Sequence, residues 1–123
     1  MKITLKSGYD LQEQFAAMDR DYFSIEGYDA LLEYYDEIDQ NIELDVIAIC
    51  CETTEYSNSA LHDFQDLIND YCQYYDMDDY CEDNDIKLED VDKNDYIHKL
   101  IEKLEENTTV LHLNNDGYII FEF

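Results

Sequence analysis

The sequence predicts an α+β fold: about four helices packed on a small, mainly antiparallel sheet of about four strands, ending in a C-terminal β-hairpin. Three observations carry this. Apolar residues recur at helical spacing in segments 25–39, 61–75 and 96–106. Short runs of alternating or continuous apolar character lie around them, at 1–6, 44–51 and 108–123. Asp116-Gly117 separates two β-prone runs, and a two-residue hairpin turn with positive φ at both central positions favours this dipeptide. With 123 residues, no internal repeat and no Gly/Ser/Pro linker, residues 1–123 read as a single acidic domain.

Each element can be justified in turn. Ile3 and Leu5 alternate with Lys2, Thr4 and Lys6, as in a half-buried strand whose lysines suit a sheet edge. Ser7 can cap a helix that reaches Met18, with Leu11, Phe15 and Met18 on one face. Ser24 can cap the next, which buries Ile25, Tyr28, Leu31, Leu32, Tyr35 and Ile38. The run LDVIAICC at 44–51 is continuous, apolar and rich in β-branched residues, which predicts a central strand covered on both faces. The polar stretch 52–59 then reads as a turn, and Asn58 or Ser59 can start another helix. That helix buries Leu61, Phe64, Leu67, Ile68, Tyr71 and Tyr75 and turns Asp63, Asp66 and Asp70 outward. Periodicity fades at Asp76, so 76–93 reads as loop or short helical turns. A last helix at 96–106 buries Ile97, Leu100, Ile101 and Leu104 before the hairpin. The final strand is apolar on both faces, Tyr118 and Ile120 against Ile119, Phe121 and Phe123. One face is expected under helices and the other against a second copy, a possible homodimer.

Composition narrows the function. The chain has 32 Asp and Glu against 7 Lys and Arg, a net charge of -25, yet 46% hydrophobic and 14% aromatic content set it apart from disordered acidic segments. Self-repulsion on this scale favours solubility and weakens the compact state, most at low ionic strength. Direct nucleic-acid binding is excluded, because it needs a basic surface to neutralise phosphates. The N-terminal stretch lacks the apolar core of a signal peptide and no run reaches transmembrane length, so a cytoplasmic protein with no membrane partner is expected. Cys50, Cys51, Cys72 and Cys81 form no CxxC pair and read as reduced, largely buried thiols.

Signatures of chemistry are missing. Asp90-x-Asp92-x-Asn94 begins like an EF-hand loop, but Asp95 stands where the turn needs Gly and Ile101 where a bidentate Glu belongs. Its carboxylates suit the dipole of the last helix instead. Zinc through Cys72, Cys81 and a histidine lacks finger or ribbon spacing. His62 and His98 fall on solvent faces, and His112 lies in a strand where packing is its expected role. With three glycines there is no phosphate loop, nucleophile elbow or Cys-His constellation. Neither an enzyme nor a cofactor is expected, though a divalent-metal-binding protein stays open as an alternative.

What stands out is the sign of the charge. Arg20 is the only basic residue between Ser7 and Ile86, whereas solvated faces normally mix signs. Glu26, Asp29, Glu33, Asp36, Glu37 and Asp39 occupy the 25–39 helix at one charge per about 3.5–4 Å, close to the roughly 3.4 Å between phosphates of a DNA strand. Asp76, Asp78, Asp79, Glu82, Asp83 and Asp85 form a second cluster. Tyr34, Tyr74 and Tyr80 lie outside or at the edge of the apolar stripes and are the expected anchors of a partner-binding surface.

The segments ELDVIAICCETTEY and EENTTVLHLNNDGYIIFEF, with the N-terminal helices, resemble small acidic proteins carried by bacteriophages and mobile elements of Firmicutes. In that group an LDVIA-CC segment and a terminal TTV hairpin recur. The shared segments are core elements, so this resemblance implies no chemistry. By size and charge alone the chain also resembles phage-encoded anti-CRISPR and anti-restriction proteins, which occupy DNA-binding sites. That implies a non-enzymatic DNA mimic, active in the cytoplasm of a bacterial host cell against the basic channel of a Cas or restriction nuclease. The alternative is an acidic adaptor or regulator of another basic host protein.

Overall fold

A computed structural model describes residues 7–38 and 44–123. The strand expected at 1–6, and Asp39, lie outside the described residues. Helix α1 spans Gly8–Ala16, α2 Ile25–Ile38 and α3 Val46–Glu52, which runs directly into strand β1, Thr53–Tyr56. Helices α4 (Phe64–Tyr71) and α5 (Met77–Asn84), a 3-10 turn at Leu88–Asp90 and helix α6 (Lys93–Glu105) follow. Strands β2 (Val110–His112) and β3 (Tyr118–Phe121) form the hairpin. The class is α+β, with six α-helices among the described residues where about four are expected. Among the described residues the sheet has three antiparallel strands in the order β1-β3-β2, against about four expected over the whole chain.

Central strand β3 places Tyr56 opposite Tyr118 on one side and Val110 opposite Ile120 on the other. Successive side chains point to opposite faces, so β3 supplies two cores. Tyr118 and Ile120 pack with Tyr56, Leu67, Ile68, Tyr80 and the α6 residues Tyr96, Ile97, Leu100, Ile101 and Leu104. Ile119 packs with Leu11, Phe15, Tyr28, Leu31, Val46 and Ile49, and Phe121 joins at the margin. Helices of one chain thus cover both faces of the sheet. Burying Ile119 needs no second copy.

Helix α3 corrects the strand expected at 44–51. Asp45 caps it, accepting the Ala48 N–H at 3.0 Å. Val46 and Ile49, three residues apart, are buried while Ile47 is exposed, a helical pattern that a two-sided strand cannot produce. The strand is the polar segment behind it, where the sequence predicts a turn. Helix α4 starts at Phe64, not at Asn58 or Ser59, because Asp63 and Asp66 form a capping box; Leu61 stays outside and exposed. Met18 and Ile38, both predicted on buried faces, are exposed at or beyond the helix ends.

Of the two readings of stretch 76–93, short helical turns hold and loop does not, since α5 and the 3-10 turn occupy it. Asp76 caps α5 by accepting the Asp79 N–H at 2.8 Å, and Asp85 stops it in the left-handed region at φ 52. The hairpin turn is also one residue longer than Asp-Gly predicts. Leu113 N–H donates to the Gly117 carbonyl at 2.9 Å and Asp116 N–H to the Leu113 carbonyl at 3.2 Å. Asp116, at φ 65, carries the left-handed position that closes this three-residue loop. The free thiols are less hidden than predicted: Cys51 and Cys72 are exposed, and Cys50 and Cys81 are half-buried.

Candidate functional site

The acidic helix α2 is set in place from two directions. Ser24 Oγ accepts the Gly27 N–H at 3.0 Å, and Glu55 of β1 accepts the Ser24 N–H at 2.9 Å. In a capping box the second acceptor is a Glu or Gln at the third helical position. That position is Gly27, and the carboxylate arrives from the sheet instead. Ser57 Oγ donates to the other Glu55 oxygen at 2.5 Å, so a carboxylate only 2% exposed has both oxygens engaged. Asn115 Nδ2 reaches Ser24 Oγ at 3.3 Å and ties the hairpin loop to the same point.

Not every predicted carboxylate is free for a partner. Asp29 Oδ1 accepts the Gly8 N–H at 2.7 Å and holds α1 to α2. Glu26 and Asp36 are half-buried, whereas Glu33 and Glu37 are exposed. Glu33 and Glu37 line, with Tyr34, a trough of about 210 Å³ against β2. On α5, Asp76 is a cap and Asp83 accepts the Tyr75 hydroxyl at 2.9 Å. Asp78, Asp79, Glu82 and Asp85 are exposed. Helix α2 covers the Ile119 face of the sheet and α5 belongs to the Ile120 face. The two carboxylate sets therefore lie on opposite layers and do not merge into one patch.

The three predicted anchors separate as well. Tyr80, 5% exposed, is the one buried residue of α5 and meets Tyr96 edge-on at 5.8 Å. It pins the helix and is not a surface anchor. Tyr34 is half-buried, 4.9 Å from Phe121 and 5.1 Å from Tyr35. Tyr74 is exposed and packs on Phe123 at 5.3 Å, while Phe123 stacks on Tyr71 at 6.4 Å. Sequence reasoning missed these two partners of Tyr74. Tyr71 falls on a core stripe and Phe123 in a strand alternation, and nothing in the sequence pairs them.

Near Tyr71 the field is negative. Burial raises its pKa, a hydrogen bond with Tyr56 opposes this, and the charges of Asp70 and Glu122 add to the rise. Tyr56 in turn donates to Asp70 Oδ2 at 2.8 Å. The basic residues lie elsewhere, four of the five described ones between Lys87 and Lys103. Among the described residues Lys99 meets Glu102 at 3.4 Å, an exposed pair that contributes little to stability.

A cavity of about 610 Å³ between α6 and the hairpin loop is lined by Asn58, Asn94, His98, His112 and Asn115, with Asp116 as its carboxylate. His112 stands 3.2 Å from Glu105 and edge-on to Tyr118, exposed where packing is predicted. Asp92 caps α6, accepting the Asn94 and Asp95 N–H groups at 2.8 and 3.4 Å, so the EF-hand-like segment is the start of a helix. Among the described residues, no group of three or more His, Cys, Asp or Glu is placed to hold a metal ion. No helix among them is long and apolar enough to cross a membrane. Compared with protein-family models, curated proteins and solved structures, the chain matches none.

Proposed function

We propose that this chain is a non-enzymatic DNA mimic that inhibits a bacterial defence nuclease of the Cas or restriction type by occupying its basic nucleic-acid channel. The observation that supports this reading is that helices α2 and α5, one on each side of the sheet, carry exposed carboxylates and no basic residue. Exposed carboxylates of α2 lie on one side of the sheet and those of α5 on the other, and Arg20 is the only basic residue from Ser7 to Ile86. A duplex also presents phosphates on more than one side, and a channel lined with Lys and Arg contacts them.

The test is capture by the tagged protein from a bacterial lysate containing such nucleases, with a salt gradient and competing duplex DNA. The reading expects one nuclease to be retained, displaced by duplex, and lost steeply as salt rises. Neutralising a carboxylate that meets a cation should lower the log–log salt slope by about 1. A diffuse set of basic proteins, all released at modest salt, would refute the mimic. A single partner insensitive to duplex would favour the acidic adaptor instead.

A further inference from the structure

Charge alone attracts any basic surface and selects none. We infer that the exposed ring cluster of Tyr71, Tyr74 and Phe123 is a docking site for an arginine-bearing segment of a basic partner. The inference rests on the proposed function for a basic partner, and goes beyond it in naming the contact and the side chain that fits.

The three rings touch one another. Tyr71 and Phe123 are stacked at 6.4 Å with 12° between planes, Tyr74 lies 5.3 Å from Phe123, and Tyr71 and Tyr74 are 6.1 Å apart. Yet Tyr74 is 47% and Phe123 49% exposed. Single exposed aromatics are ordinary, but contiguous ones beside polar groups mark interaction surfaces. Tyr71 is held by α4 and by its contact with Tyr56 at 6.0 Å, so the platform is ordered before any partner arrives.

The neighbouring charges select the occupant. Asp70 and Glu122 act on Tyr71, and neither has a basic partner among the described residues. An apolar segment would desolvate those carboxylates without compensation. A second copy would bring another charge of -25 to the same place. A guanidinium is planar, stacks on a ring face and donates N–H groups to a carboxylate at the rim. A lysine ammonium offers a compact, strongly hydrated charge with no plane to stack.

The experiment compares an oligo-arginine with an oligo-lysine peptide of equal length by calorimetry at physiological salt. The native protein should bind the arginine peptide about 2- to 5-fold tighter. The Tyr74→Ala/Phe123→Ala variant should lose that preference while keeping its affinity for the lysine peptide, and Tyr74→Phe should retain it. Both truncated rings are half exposed, and circular dichroism checks that the variant is folded. Equal affinity of the native protein for the two peptides would overturn the inference, as would a preference that survives the double variant. Failure of the nuclease capture with the arginine preference intact would instead remove only the proposed function.

Discussion

At Gly27 local propensity and tertiary geometry point in opposite directions, which makes Gly27→Ala diagnostic. In an ordinary helix interior the change stabilises by about 1 kcal/mol. Here the new methyl would overlap Glu55 Oε1 and come within 3.3 Å of Phe23 Cβ. Helix α2 cannot retreat, because Tyr28 and Leu31 are locked in the core beside Gly27. The Glu55 carboxylate must swing away and release the buried Ser24 N–H. Losing that charge-assisted bond, with buried groups left unpaired, costs about 3–5 kcal/mol. After the alanine gain, net destabilisation is about 2–4 kcal/mol. With a urea slope of about 1–3 kcal/mol/M, the midpoint should fall by about 1.5 M at mid-range and by no less than about 0.7 M. Urea unfolding followed by circular dichroism at physiological salt measures it. In a Glu55→Ala background the overlap is gone, and Gly27→Ala should then be neutral or stabilising. A Gly27→Ala midpoint at or above the native one would refute the capping role assigned to Glu55. An undiminished loss in the Glu55→Ala background would do the same.

Two further outcomes follow from the buried tyrosines and the hairpin turn. Burial raises the hydroxyl pKa of Tyr28, Tyr35, Tyr56 and Tyr96, to about 12 for Tyr35 and Tyr96 from the usual 10.0. The fold favours their neutral form, so this stabilisation is complete below about pH 10 and is lost as pH rises through about 12. Circular dichroism should hold to about pH 10 and collapse toward 12 together with the late tyrosinate absorbance; full ionisation of a still native fold would contradict this. Asp116 holds a left-handed conformation at φ 65, which glycine adopts without strain. Asp116→Gly should stabilise by about 0.5 kcal/mol and Asp116→Val destabilise by about 1–2 kcal/mol in thermal melts, and a Val variant as stable as native would rule out that turn.

What could be read from the sequence was what periodicity encodes. Helices α2 and α6 stand where their apolar stripes predict, because a long amphipathic stripe has one low-energy solution. Segment 44–51 has no such pattern: a short continuous apolar run fits a strand or a buried helix, and the choice fell to Asp45 as a cap. Strand β1 is hidden by Glu55, since a charged residue reads as exposed until its partners, Ser24 and Ser57, are known to converge on it. The candidate surface was legible in composition and not in placement. Sequence gives the sign of the charge, but tertiary packing put Tyr80 inside, set Phe123 against Tyr74, and sent the α2 and α5 carboxylates to opposite layers.

Strand β3 follows α1 to α6 in the sequence, and its four side chains are divided between the two cores. During synthesis, α1 to α6 emerge before the strand that separates them, so both layers wait with their apolar faces unmatched. Contacts spanning most of the chain then form late and together, which favours slow, all-or-none folding. Over that interval, mutual repulsion among carboxylates keeps unfinished chains apart, a service to solubility independent of any partner.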